Sequence, residues 1–104
     1  MTPVIDAIVK RLVAEYAPEK IILFGSYAHG TPGPDSDIDL LIIKDPPERF
    51  LDRWTAVHRI LTGTHAHIPL EPLVLTPREI DERLSVHDQF IEEILDRGKV
   101  LYGG

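Results

Sequence analysis

No cysteine occurs in this chain. That absence removes a disulfide framework and any thiolate metal site. No apolar run approaches the ~20 residues that a membrane helix needs. The start, MTPVIDAIVKRL, lacks a charged segment followed by a long apolar stretch, so no secretory signal is expected. The expectation is a cytoplasmic protein with no membrane partner. Positive charge is also scarce: 11 Lys and Arg stand against 17 Asp and Glu, for a net charge of −6. The basic residues are scattered, so no direct nucleic-acid binding is expected. There is no Gly-Lys-Ser/Thr phosphate loop, no repeat and no low-complexity block.

What remains is an ordinary globular composition, 104 residues with 43% apolar side chains. That supports one core and one expected domain, residues 1–104. Val4, Ile5, Ile8, Val9, Leu12, Val13 and Tyr16 follow helical spacing, with Thr2 as a cap, Pro3 at the first helical position and Pro18 ending the helix. Lys20 to Phe24 and Ile38 to Ile43 are continuous apolar runs that read as buried strands. Residues 30–36 are rich in Gly and Pro and read as loop. Asp45 and Glu48 suggest a capping box opening a helix with a core stripe of Phe50, Trp54, Val57 and Leu61, stopped at Gly63. Ile68 to Leu75 reads as a third strand, restricted to an edge by Pro69 and Pro72. Thr76-Pro77-Arg78-Glu79 is a second capping box. The helices after it carry Ile80, Leu84, Phe90, Ile91, Ile94 and Leu95, broken near Ser85 to Asp88 and closed by Gly98. Lys99 to Tyr102 is left as a short apolar tail. The expected class is α/β (α+β), a small three-stranded mixed sheet with helices packed on it, in the order α-β-(turn)-β-α-β-α.

The chemistry concentrates in GSYAHGTPGPDSDIDLLII, residues 25–43. Strand side chains alternate faces, so Asp37 and Asp39 point together while Ile38, Leu40 and Ile42 enter the opposite layer. Same-face neighbours lie about 7 Å apart at Cα. Two such carboxylates converge on hard cations, and unpaired they raise each other's pKa. Gly25 lets backbone approach a ligand, Ser26 adds a hydroxyl, and the turn from Tyr27 to Gly30 offers N–H groups to an anion. A calcium loop on Asp35, Asp37 and Asp39 fails, because Leu40 stands where that loop needs glycine and Pro46 where it needs glutamate. Asp35 shapes the loop instead. His65 and His67 lack a third ligand for zinc. Trp54 reads as packing, and Tyr27 suits either a stacked base or core cover.

Gly25-Ser26, ten intervening residues, then Asp37-Ile38-Asp39 resembles the signature of the DNA polymerase beta-like nucleotidyltransferases. In length and layout the chain resembles their small stand-alone members, the minimal nucleotidyltransferases, which often act as the antitoxin of a HEPN-domain toxin. The resemblance implies that Gly25 and Ser26 hold the β- and γ-phosphates of ATP. It implies that Asp37 and Asp39 bind two Mg2+ ions, one organising the triphosphate and one activating an acceptor hydroxyl. The family also has a third carboxylate on the next strand. Glu71 is the acid there, as a metal ligand, a general base or both. His29 stands in a turn where the family often has Arg or Lys, which implies a pH-dependent phosphate contact. The implied activity is transfer of AMP from ATP to a hydroxyl, a tyrosine, of a HEPN toxin partner. The alternatives are neutralisation of that partner by occlusion and nucleotidyl transfer to a small molecule.

Overall fold

The computed structural model describes residues 3–65 and 67–103. Thr2, the expected cap of the first helix, lies outside the described residues. The elements are α1 (Pro3–Glu15), β1 (Lys20–Phe24), β2 (Ile38–Ile43), α2 (Phe50–Leu61), β3 (Leu70–Leu75), α3 (Pro77–Ser85), α4 (Gln89–Arg97) and β4 (Lys99–Tyr102). Both strands expected from continuous apolar runs appear with the expected limits. The third begins at Leu70, after Pro69, because proline removes the N–H that a ladder position would donate.

The four strands form one mixed sheet in the order β3-β2-β1-β4. β1 pairs antiparallel with β2 and with β4, and β2 pairs parallel with β3. The expected three strands are therefore four. Lys99 to Tyr102 is an edge strand rather than a tail, its four residues too few for a period to register. Gly98 makes the connection possible: a Cβ there would run into the Ile94 carbonyl and the Ile22 side chain, so only glycine lets α4 turn this tightly into β4. β3 occupies the opposite edge, as its prolines require.

The sheet separates two apolar layers. On one face Ile21, Leu23, Ile38, Leu40, Ile42 and Val74 pack with Ile5, Ile8 and Leu12 of α1 and Val57 and Leu61 of α2. On the other, Ile22, Leu41 and Leu75 pack with Ile80 of α3 and Ile91 and Ile94 of α4. Each such fully buried aliphatic side chain stabilises the fold by about 1.5–3 kcal/mol before the entropic cost of ordering it.

Two expectations around α2 are corrected. The Asp45 capping box does not form: α2 starts at Phe50, with Arg49 before it and no side-chain cap. Residue 46 precedes another proline and is kept out of the helical region, so the helix begins later. The Glu48 carboxylate instead accepts a hydrogen bond of 2.6 Å from the Tyr16 hydroxyl; burial, then that bond, push the Tyr16 phenol pKa up. The core stripe is also rotated. Arg53, Val57 and Leu61 are buried, whereas Phe50 and Trp54 are 55% and 52% exposed. Trp54 lies against His58, with ring centroids 3.7 Å apart.

Arg53 can be buried because three acceptors converge on its guanidinium. Its Nη1 donates to the Val74 carbonyl at 3.0 Å and to Glu79 Oε1 at 2.7 Å, and its Nε donates to the Glu48 carbonyl at 3.2 Å. Glu79 simultaneously completes the expected box with Thr76, accepting from the Thr76 N–H at 2.8 Å and donating its own N–H to Oγ1 at 3.0 Å. One carboxylate thus caps α3 and neutralises a guanidinium held by α2. Arg53→Ala is expected to destabilise the protein by about 3 kcal/mol, because it leaves Val74 and Glu79 acceptors without their partner. Urea denaturation checks this, and a loss under about 1 kcal/mol would mark the pair as an ordinary surface ion pair.

Candidate active site

The strand registers bring the site together. Phe24 of β1 lies opposite Asp39 of β2, and Asp39 lies opposite Glu71 of β3. The three residues form a single row across the sheet. They share the face on which Leu41, Leu73 and Leu75 pack toward α3 and α4. Asp37 precedes β2, two residues before Asp39 and on the same side.

Gly25 follows Phe24 with φ 76°, a conformation that glycine adopts freely and other residues resist. A Cβ at this position would collide with the Asp39 carboxylate. The glycine therefore serves both the turn and the close approach of backbone to carboxylate. After it, residues 26–30 wind into a helical turn. The Gly25 carbonyl accepts from the Ala28 N–H at 3.1 Å, and the Ser26 carbonyl accepts from His29 at 3.2 Å and Thr31 at 3.1 Å. The Ser26 hydroxyl has no hydrogen-bond partner among the described residues, which leaves it available to a ligand. Tyr27 packs toward the α1–α2 layer, which decides its role as core cover. Asp35 sits in the exposed loop beside the Ser36–Gly33 turn, where Ser36 Oγ accepts from the Gly33 N–H at 2.7 Å.

A cavity of about 680 Å³ opens over this row, lined by Gly25, His29, Asp39 and Glu71 on the sheet side. Ser26 and Asp37 adjoin it without lining it. Its far wall comes from α4, through Phe90, Glu93, Ile94 and Arg97. Phe90, assigned by spacing to the core, is 52% exposed and meets Phe24 edge-on with centroids 5.6 Å apart. Glu93 and Arg97 carried no signal of their own in the sequence. The available clue is their spacing of three and seven from Phe90, which places all three on one helix face. His65 and His67 precede β3 instead of lying on it, and His65 Nδ1 is 2.7 Å from the Ile68 carbonyl.

The electrostatics of the row favour a cation. The Asp39 carboxyl is held above its usual range, first by burial and then by the charges of Asp37 and Glu71. None of these three carboxylates has an ion-pair partner among the described residues. Nor, among the described residues, do three His, Asp or Glu side chains close into a group able to hold a metal ion alone. Asp39 and Glu71, side by side in the sheet and both lining the cavity, offer carboxylate oxygens of the kind that Mg2+ takes alongside water and phosphate oxygens.

Comparison with known proteins follows this geometry. Residues 5–101 match the model of the nucleotidyltransferase domain family. A Methanocaldococcus jannaschii protein with the provisional name protein adenylyltransferase is 38% identical over 85 residues. That match takes in 79% of this chain and 56% of the relative, so the chain spans little more than half the length of that relative. Two solved structures share the fold. One, described as a toxin–antitoxin with AMP-PNP, superposes with a TM-score of 0.65 at 23% identity, covering 95% of this chain and 73% of that one. The other, a mutant of the toxin–antitoxin MntA–HpeT, gives 0.64 at 21% identity with the same coverage.

Two outcomes follow from the site geometry. Gly25→Ala forces a strained φ and displaces the Asp39 carboxylate, at an expected cost of about 1–3 kcal/mol in urea denaturation; an unchanged midpoint would show that the turn relaxes without strain. For Asp39, the raised pKa means that its share of stability is complete below the ordinary carboxylate value of about 4 and is lost as pH rises through the raised value. At pH 7 in EDTA, Asp39→Asn is therefore expected to melt above the wild type. Added Mg2+ is expected to raise the melting temperature of the wild type and leave the variant unmoved. A variant that melts lower in EDTA would show that the Asp39 charge is favourably held without metal.

Proposed function

Because this chain belongs to the nucleotidyltransferase domain family, we propose that it is a Mg2+-dependent nucleotidyltransferase that transfers AMP from ATP to a hydroxyl on a partner protein. The observation that carries the reading is the single row of Phe24, Asp39 and Glu71 beneath one cavity, with Gly25 against the Asp39 carboxylate. Gly25, Ser26 and the turn after them receive the β- and γ-phosphates through backbone N–H groups and the Ser26 hydroxyl. Asp37, Asp39 and Glu71 would hold two Mg2+ ions, which would supply Lewis-acid stabilisation of the attacking and leaving oxygens.

The acceptor oxygen forms a bond to the α-phosphorus as the bridging bond to the β-phosphate breaks, and pyrophosphate leaves. Glu71 lies on an edge strand and is exposed, on the open side from which an acceptor enters. It takes the hydroxyl proton as general base. The closed side, under α4, orients the nucleotide.

A protein acceptor is supported by the name of the Methanocaldococcus jannaschii relative. A toxin partner is supported by the two structural neighbours, each described as a toxin–antitoxin. In this reading the partner is a HEPN-domain toxin and the acceptor a tyrosine hydroxyl, so that the chain acts as an antitoxin by modification.

The test incubates the protein with the product of its neighbouring gene as the candidate toxin, ATP and Mg2+, and measures intact masses. The toxin is expected to gain one or more AMP units, and Asp39→Asn is expected to lower the rate at least ~1000-fold, as loss of a metal-organising carboxylate does. A stable complex with no mass gain would overturn transfer in favour of neutralisation by occlusion. Transfer only to small hydroxylated acceptors would overturn the protein acceptor.

A further inference from the structure

We propose that Arg97, in the last turn of α4, is a phosphate-binding residue of the site, closing on the triphosphate from the wall opposite the carboxylates. This rests on the nucleotidyltransferase reading and adds to it a residue outside the glycine–serine and aspartate motif.

Three observations converge on it. The first is placement. Phe90, Glu93, Ile94 and Arg97 are spaced i, i+3, i+4 and i+7, so they form one face of α4, and that face lines the same cavity as Gly25, Asp39 and Glu71. The second is charge. Among the residues lining the cavity, Arg97 is the one Arg or Lys, and His29 is the other basic group. A histidine is charged only in part near neutrality, whereas a guanidinium is always charged. The permanent cation facing the anionic part of a nucleotide therefore comes from α4.

The third is availability. Arg11, Arg53, Arg78 and Arg83 each have a carboxylate partner. Like Arg49 and Arg59, which do not line the cavity, Arg97 has no side-chain ion pair or hydrogen bond among the described residues. This holds although Glu93 lies four residues before it on the same face, a spacing that commonly pairs. A guanidinium at the rim of a cavity whose floor is carboxylate has an obvious use once a triphosphate fills the space between. Its planar fork then matches phosphate oxygens in two parallel hydrogen bonds. The exposed side chain becomes ordered only when the ligand arrives, so its rotamer entropy is lost on binding and not on folding.

The experiment is titration calorimetry of the full chain in Mg2+ with AMP-PNP and with adenosine, on wild type, Arg97→Ala and Arg97→Lys. Arg97→Ala is expected to weaken AMP-PNP about 10- to 100-fold. Adenosine is expected to bind wild type and variant alike. Arg97→Lys is expected to fall between, since it keeps the charge and loses the fork. All three proteins are expected to melt at the same temperature, because Arg97 has no partner in the fold to lose. Undiminished AMP-PNP binding by Arg97→Ala would overturn the assignment while leaving the nucleotidyltransferase reading in place. An equal loss for AMP-PNP and adenosine would overturn it too, by making Arg97 a general wall residue. Failure of the wild type to bind AMP-PNP at all would overturn the underlying reading and this inference with it.

Discussion

The register of β2 between its two neighbours is the constraint on which the rest of this protein depends. Leu40, Leu41 and Ile42 are fully buried between two helical layers, so the strand cannot slip. A shift by one residue would drive Asp39 into the α1–α2 core and turn Leu40 toward the cavity. The same apolar packing that holds the sheet together therefore fixes the row of Phe24, Asp39 and Glu71. The unfavourable proximity of Asp37, Asp39 and Glu71 is imposed on the carboxylates by about a dozen aliphatic side chains that have nothing to do with chemistry. A fold tolerates such local repulsion when the surrounding structure over-determines it, and sites of this kind tend to be functional.

Arg53 and Glu79 play a complementary part at the end of β3. Together they join α2, the end of β3 and the start of α3 through hydrogen bonds to Val74, Glu48 and Thr76. Burial works to raise the Glu79 carboxyl, but the bonds from Arg53 and Thr76 more than offset it and hold it below its ordinary value. This is the reverse of Asp39, which burial and the charges of Asp37 and Glu71 all push upward. The two carboxylates show one physical rule giving a structural tie in one place and a cluster of like charges in another. Because β3 carries both Val74 and Glu71, the tie also steadies the edge strand that presents the third carboxylate.

Much of this was legible beforehand. Continuous apolar runs located β1 and β2 to the residue, because strands buried on both faces need no alternation to be visible. The Thr76–Glu79 box and the break before Asp88 were equally local and equally readable. The Asp45 box, with the same spacing, failed because Pro47 keeps residue 46 out of the helical region and Tyr16 claims Glu48 from 32 residues away. Arg53 displaced Phe50 and Trp54 from the core because three acceptors converge on it from Glu48, Val74 and Glu79, a fact no helical period can contain. β4 was missed because four residues on an edge carry little pattern, and its partner β1 lies some 80 positions earlier.

By itself, the sequence determined the chemistry that depends on local spacing: a glycine–serine turn after a buried strand and two aspartates on one face of the next. Asp39 lies in β2 and Asp37 immediately precedes it, so their closeness follows from a separation of two residues at the start of the strand. Only the tertiary structure decided what those residues face. It set Glu71 opposite Asp39 through parallel pairing, brought Gly25 against the Asp39 carboxylate, and laid the Phe90–Arg97 face of α4 across the cavity. Those contacts join positions far apart in the chain, and they arise from the burial of two apolar layers whose fit no short stretch of sequence records.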